Sequence, residues 1–269
     1  MRSISYYRTK LVERGVDGII VGRWRWYKQS FQMNNWFVGR LVELFGNKIS
    51  IDGITLSVDN PLVMTSHKGS MYFGIYEMAE RQLSRALIDR SLPTLEIGGS
   101  IGGVACVTNK LLDNPSAHVV VECNPKVLPT LKKNRELNHC QFSIEAAAIA
   151  YGSDTISFTC DPSHFMLGTL HNNNGAQITV KTTTLKSILD KYEFGIINLI
   201  SDSEGAEVEM VENELDLLQR NVKCLIMEKH TNLRGSDAIA ATLRALENVG
   251  FETVAEQEQT VGMINKHLR

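Results

Sequence analysis

Cysteine is scarce and shows no pairing pattern. The five residues Cys106, Cys123, Cys140, Cys160 and Cys224 are odd in number, lie 17 or more residues apart and include no CxxC, which argues against a disulfide framework or a zinc site. Also missing is any run approaching the ~18 to 20 apolar residues of a membrane-spanning helix. The charged start MRSISYYRTK lacks the apolar segment of a signal peptide. We therefore expect a cytoplasmic protein whose thiols stay reduced. No internal repeat or low-complexity segment appears, and a net charge of -2 disfavours extensive nucleic-acid contact.

What is present suits a soluble globular chain: 43% apolar and 22% charged residues over 269 positions, enough for one sizeable core plus an appendage. Charge is unevenly spread. Residues 1–48 hold nine Lys and Arg against three Asp and Glu, which leaves +6 there and -8 on the remainder. Within them GRWRWYKQSFQMNNWFVGRL interleaves Trp24, Trp26 and Trp36 with Arg23, Arg25, Lys28 and Arg40. Such a mixture suits a membrane surface, an anionic substrate or RNA. It equally suits a short helical extension whose aromatics pack on the main domain or on a second subunit, and we favour that reading. ISIDGITLSV alternates apolar and polar positions around Asp52-Gly53, the signature of a two-residue hairpin turn. Residues 1–70 thus read as an extension with a hairpin, and residues 71–269 as the main domain.

The main domain should open with a helix over residues 71–90, where MYFGIYEMAERQLSRALID spaces its apolar residues helically. Strand-like runs (TLEIG, HVVVEC, QFSIEAAAI, INLIS, VKCLIMEK) then alternate with helical ones. That alternation implies an α/β fold with a doubly wound parallel sheet. FETVAE and TVGMIN stand too close for a crossover helix, so they should form an antiparallel hairpin at the sheet edge. Between TISFTC and QITVKT lies a long polar loop, DPSHFMLGTLHNNNGA, long enough to be functional.

The first strand breaks into Glu96-Ile97-Gly98-Gly99-Ser100-Ile101-Gly102. A dinucleotide fingerprint needs a second glycine so that backbone can approach a pyrophosphate, and Ser100 stands in that place. The looser loop suits a ligand without phosphates. S-adenosylmethionine is one, and Glu122, which ends the second strand, is placed to take both ribose hydroxyls.

LEIGGSIGG, VVVECNPKVLPTLKKNRELN, INLISDSEGAEVEMV and LIMEKHT together resemble the FkbM-type S-adenosylmethionine-dependent methyltransferases over roughly residues 70 to 265. DSEGAE is the most specific piece, similar to the family's Asp-x-Glu-Gly-x-Glu. The resemblance implies a class I methyltransferase (Rossmann-like) fold and O-methylation of a hydroxyl on a sugar, glycan or natural product. It places Glu96, Gly98, Ser100 and Gly102 on the cofactor loop, Glu122 and Asn124 on the ribose and adenine side, and Ala146 near the adenine. Asp202, Glu204 and Glu207 fall on the acidic motif, whereas the lysine usual two residues earlier is Ile200 here.

Ligands of doubly wound sheets sit at the carboxyl ends of the strands, which directs attention to Asp202, Glu228 and His230. An alcohol must lose a proton as it takes a methyl group, so His230 is expected to accept it, with Asp202 orienting either the histidine or the hydroxyl. Glu204, Glu228 and His164, the last on the polar loop, are assigned to the substrate. Magnesium could use Asp202, Glu204 and Glu228, yet Glu204 and Glu207 precede a helix whose dipole and amides they already suit, and no metal is assigned. Two other readings remain open: an RNA or protein methyltransferase, and a non-catalytic cofactor-binding scaffold acting through its N-terminal segment. That segment could also support a homo-oligomer.

Overall fold

The computed structural model describes residues 35–160, 168–169 and 176–268. Trp24, Trp26 and His164, on which parts of the sequence reading rest, lie outside them. Two helices and a hairpin come first. Helix α1 (Trp36–Leu44) is capped by Asn35 Oδ1, which accepts from Val38 N at 3.0 Å. It crosses α2 (Thr65–Tyr72) with almost no separation: Cβ atoms on Gly39 or Gly69 would lie 1.7 Å from Thr65 O or 2.2 Å from Asn35 O. Between them β1 (Lys48–Ile51) and β2 (Ile54–Ser57) form the expected hairpin, with Asp52 at φ 51° and Gly53 at φ 79°, both in the left-handed region that a type I′ turn requires.

The helix expected over residues 71–90 is shorter, spanning only Met78–Leu87 (α3). Residues 73–77 instead form a turn with Gly74 and Glu77 at positive φ. Arg81, 1% exposed, holds that turn. Its guanidinium donates to the carbonyls of Gly74 (2.7 Å) and Tyr76 and pairs with Asp52 (2.7 Å). A buried cation satisfied on every side outweighs the modest helical preference of residues 73–77.

The main sheet has seven strands, comprising β3 (Thr94–Ile97), β4 (His118–Val121), β5 (Ser143–Glu145), β10 (Ile197–Ser201), β11 (Val222–Glu228), β12 (Phe251–Gln257) and β13 (Thr260–Asn265), in the order β12-β13-β11-β10-β3-β4-β5. The five strands from β11 to β5 are parallel. β13 inserts antiparallel between β11 and β12, so the terminal hairpin lies at the sheet edge as the short connection requires. This is the class I methyltransferase arrangement. A second, smaller sheet joins β6 (Ala148–Ile149), β7 (Thr155–Cys160), β8 (Gly168–Thr169) and β9 (Ala176–Thr183).

The central strands are buried along their whole length because helices cover both faces. Pleat alternation sends Leu95, Ile97, Val119, Val121 and Leu199 toward α6 (Leu185–Tyr192), α7 (Ala206–Asn221) and α9 (Ser236–Asn248). On the other face Ile200 and Ile226 meet Leu83, Leu87 and Val104, while Val120 meets α4 (Gly103–Asn109) and α5 (Leu128–Leu137). Each such side chain contributes about 1.5 to 3 kcal/mol by leaving water. The N-terminal hairpin shares this second core, with Ile49, Leu56 and Val58 in one cluster with Ile101, Leu131 and Phe142. Two asparagines of α5 fasten it. Asn134, fully buried, accepts from Ser57 N (2.6 Å) and donates to Ser57 O (3.0 Å) and Ile101 O (2.8 Å), and Asn138 bonds both backbone groups of Thr55. These amides serve the free edge of β2 as another strand would.

Candidate active site

The carboxyl ends of β10, β3, β4 and β5 open into a cleft of about 1020 Å³, including space open to solvent. At one end it is apolar, lined by Ala147, Ala148, Ile149, Ile156 and Phe158. Glu122 and Asn124 follow after β4, Gly98 and Ser100 after β3, and Asp202, Ser203 and Glu204 after β10. The loops after β3 and β10 touch backbone to backbone: Asp202 N donates to Ile97 O (2.9 Å), and a Cβ on Gly98 would sit 1.7 Å from Asp202 O. Gly98, at φ +87°, is therefore required twice over. Glu122 is buried and accepts from Ser100 N (2.7 Å) and Asn124 N (2.6 Å). Burial pushes its pKa up, against the pull of those amides.

Beside the cleft, carboxylates of one motif surround one histidine. His230 follows β11 at φ 42°, is 5% exposed, and brings Nε2 to 3.3 Å from Asp202, 3.5 Å from Glu204 and 3.8 Å from Glu228. Its Nδ1 stands 3.5 Å from Glu207. Glu207 is 1% exposed and accepts from Ser203 N (2.5 Å), Ser203 Oγ (2.8 Å) and Gly205 N (2.9 Å), so it caps the start of α7 and fixes the ring from behind. Arg234 of the short helix α8 (Thr231–Arg234) donates to Gly205 O and pairs with Glu209, joining the two segments.

Burial alone would lower the imidazole pKa, but Asp202 and Glu207 outweigh it and hold the ring at about 11. Burial raises Glu204 to about 8, with Asp202 adding and His230 opposing. It raises Glu228 to about 9 by the same balance. Asp202 and Glu207 thus favour the charged form of the ring, and burial favours the neutral forms of Glu204 and Glu228. A ring drawn toward its charged form is a poorer proton acceptor than the neutral base expected of His230. Nε2 of His230 and one oxygen each of Asp202 and Glu228 lie within 4.8 Å of one another, a spacing that three ligands of one cation could adopt.

The chain matches the methyltransferase FkbM domain over residues 96–253. It belongs to the FkbM methyltransferase family. Its methyl donor is S-adenosylmethionine. No curated protein matches the chain in sequence. Among solved structures it is similar to a precorrin-6y C5,15-methyltransferase from Geobacter metallireducens, at 15% identity and TM-score 0.43 over 80% of this chain and 95% of that one. It is also similar to an NADB-Rossmann superfamily protein from Streptococcus agalactiae, at 14% identity and TM-score 0.42 over 69% of this chain. Aeropyrum pernix fibrillarin with bound S-adenosyl-L-methionine matches at 12% and 0.37 over 70% of this chain and 73% of that one. The chain spans 65% of the Streptococcus protein.

As a cradle for the cofactor of FkbM methyltransferases the cleft is chemically suited. The apolar slot matches the character of an adenine ring, and the carboxylate at the end of β4 is of the type that suits ribose hydroxyls. Of the cofactor residues expected from sequence, Gly98, Ser100, Glu122 and Asn124 line this cleft. Three do not. Glu96 is 2% exposed and, by the pleat, points under the loop between Ile200 and Val120 toward His118, 3.7 Å away. Burial raises Glu96 well above the carboxylate range and lowers His118 to about 3, leaving both neutral. Gly102 serves the start of α4, where a Cβ would meet Leu131 at 2.9 Å. Ala146 is exposed, and the slot is built by Ala147, Ala148 and Ile149 immediately after it. Asp202 and Glu204 line the cleft, whereas Glu228 and His230 stand behind them. Among the lining residues that sequence reasoning missed is Glu77, from the turn before α3. Its only sequence signal is Gly74, which breaks the helical run three residues earlier.

Proposed function

We propose that the protein transfers the methyl group of S-adenosylmethionine to a hydroxyl oxygen of a sugar, glycan or other natural product. The observation carrying this reading is that Asp202 and Glu204 line the cleft as hydrogen-bond acceptors, while no Lys or Arg is among its described lining residues. Such a wall suits a polyhydroxylated acceptor, and it lacks the cations that a nucleic-acid phosphate would call for. The bound cofactor supplies an electrophilic methyl on sulfur. Asp202 accepts a hydrogen bond from the acceptor hydroxyl and orients its oxygen. Glu204, whose pKa of about 8 makes it a stronger base than an ordinary carboxylate, takes the proton. His230 keeps its charge and fixes Asp202, with Glu207 behind it. Glu228 adjoins the acceptor side, and residues 1–48 serve assembly or acceptor contact. We assign the reaction to the cytoplasm. No helix among the described residues is long and apolar enough to cross a membrane.

The test is transfer of labelled methyl from S-adenosylmethionine to a panel of glycans and hydroxylated natural products. On an acceptor so found, turnover should rise with pH through about 8, because Glu204 must lose its proton to act. Glu204→Gln should lower turnover by roughly 10² to 10⁴-fold with cofactor affinity kept. Methylation confined to nitrogen acceptors, or full turnover in Glu204→Gln, would remove this reading.

A further inference from the structure

Glu77 has a position that the fold goes to some trouble to create. It is a non-glycine residue at φ 47°, a conformation costing roughly 1 to 2 kcal/mol and persisting where the surroundings impose it. Here they do: Arg81 fixes the carbonyls of Gly74 and Tyr76 on the near side, and α3 begins directly after it. The carboxylate is received by the last glycine of the Gly98–Gly103 loop. A Cβ on Gly103 would lie 2.6 Å from Glu77 Oε2, and the amide of Val104 donates to the same oxygen at 3.3 Å. Next to it Tyr76 hydroxyl bonds Ser100 Oγ at 2.7 Å. The carboxylate faces the cleft wall shared by Gly98, Ser100 and Asp202, and no cation contacts it among the described residues. Burial lifts it to about 8, with Asp202 adding and the Tyr76 hydroxyl and the Arg81 charge opposing.

The order of groups along the strand ends shows what partner fits. With adenine in the apolar slot beyond β5 and the ribose at Glu122 after β4, the rest of the cofactor runs past the ends of β3 and β10, where Glu77 stands. That part carries a sulfonium and an amino-acid group, and its α-ammonium is a three-donor cation. We propose that Glu77 binds the α-ammonium of the methionine moiety of S-adenosylmethionine, the duty that Glu96 is turned too far inward to perform. The inference depends on the cofactor and not on the acceptor, so it stands or falls separately from O-methylation.

Calorimetry with three thioethers tests it: S-adenosylhomocysteine, its desamino analogue S-(3-carboxypropyl)-5′-thioadenosine, and 5′-methylthioadenosine, which has no amino-acid group. A charge-assisted hydrogen bond predicts that Glu77→Gln weakens S-adenosylhomocysteine roughly 10- to 100-fold and leaves 5′-methylthioadenosine within about twofold. The wild type should lose a similar factor between S-adenosylhomocysteine and the desamino analogue, and the variant should scarcely distinguish them. Equal weakening of all three ligands in Glu77→Gln would show that the residue only shapes the loop and would overturn the assignment. So would a wild type that binds the desamino analogue as tightly as S-adenosylhomocysteine, a result that needs no variant to fold. Failure of the wild type to bind S-adenosylhomocysteine at all would instead strike the cofactor reading itself.

Discussion

Replacing His230 with Asn tests whether the ring is the cation of the acidic motif. Asn tolerates left-handed backbone, so His230→Asn removes the charge with little change in local strain at φ 42°. Removing one partner of a buried ion network typically costs about 3 to 5 kcal/mol. Two features place the expected loss at the lower end. Glu204 and Glu228, at about 8 and 9, already carry protons near neutral pH, and Glu207 keeps three donors from Ser203 and Gly205. A loss of about 3 kcal/mol corresponds to a Tm lower by roughly 6 to 12 °C for a chain of this size. The sign with pH follows from the raised histidine pKa. Its contribution is complete below the unfolded value of about 6.5 and fades as pH climbs toward 11. Thermal unfolding followed by circular dichroism at pH 6.5 and 7.5, below the range in which Glu204 and Glu228 ionise, should therefore show the gap between wild type and variant narrowing as pH rises. A gap that is absent at pH 6.5, or that widens between these two values, would refute the imidazolium assignment.

Gly98→Ala must both enter a positive-φ conformation and displace Asp202 O from 1.7 Å; together these should cost about 3 kcal/mol or more and weaken S-adenosylhomocysteine binding, measured by chemical unfolding and calorimetry. Wild-type stability there would mean that the loops after β3 and β10 are not in backbone contact. Asn134→Ala should lower stability by about 3 kcal/mol, since three backbone groups of Ser57 and Ile101 lose their partner, with hydrogen exchange rising in β1 and β2. A loss below about 1 kcal/mol would show that apolar contacts alone hold the hairpin.

The alternation of strands and helices, the Asp52-Gly53 turn and the terminal hairpin were legible because each is written in local periodicity or turn chemistry. The strand ends therefore located the cleft, and Glu122, Ser100 and Asp202 with it. What sequence did not reveal depends on facing. Glu96 looks like a cofactor ligand by position, yet the pleat that sends Leu95 and Ile97 to one helical layer sends Glu96 to the other. The pull toward a charged His230 comes from Asp202 and Glu207, whose side chains reach the ring only after the chain has returned through α7 and β11. Glu77 was hidden inside an apparently helical run, because the turn exposing it is held by Arg81 together with the distant Asp52. The adenine slot also draws on Ile156 and Phe158 of the small sheet, a strand that showed no sign of facing the cleft.

The central claim, that the cleft between Glu122 and Asp202 is built for S-adenosylmethionine, is tested most directly by titrating the protein with S-adenosylhomocysteine and with NADH, in the wild type and in Glu122→Ala. S-adenosylhomocysteine should bind the wild type more tightly than NADH. Loss of the carboxylate that we propose meets the ribose, and that holds Ser100 N and Asn124 N, should weaken it by roughly 10- to 10³-fold. Tighter binding of NADH, or undiminished S-adenosylhomocysteine affinity in Glu122→Ala, would contradict the account.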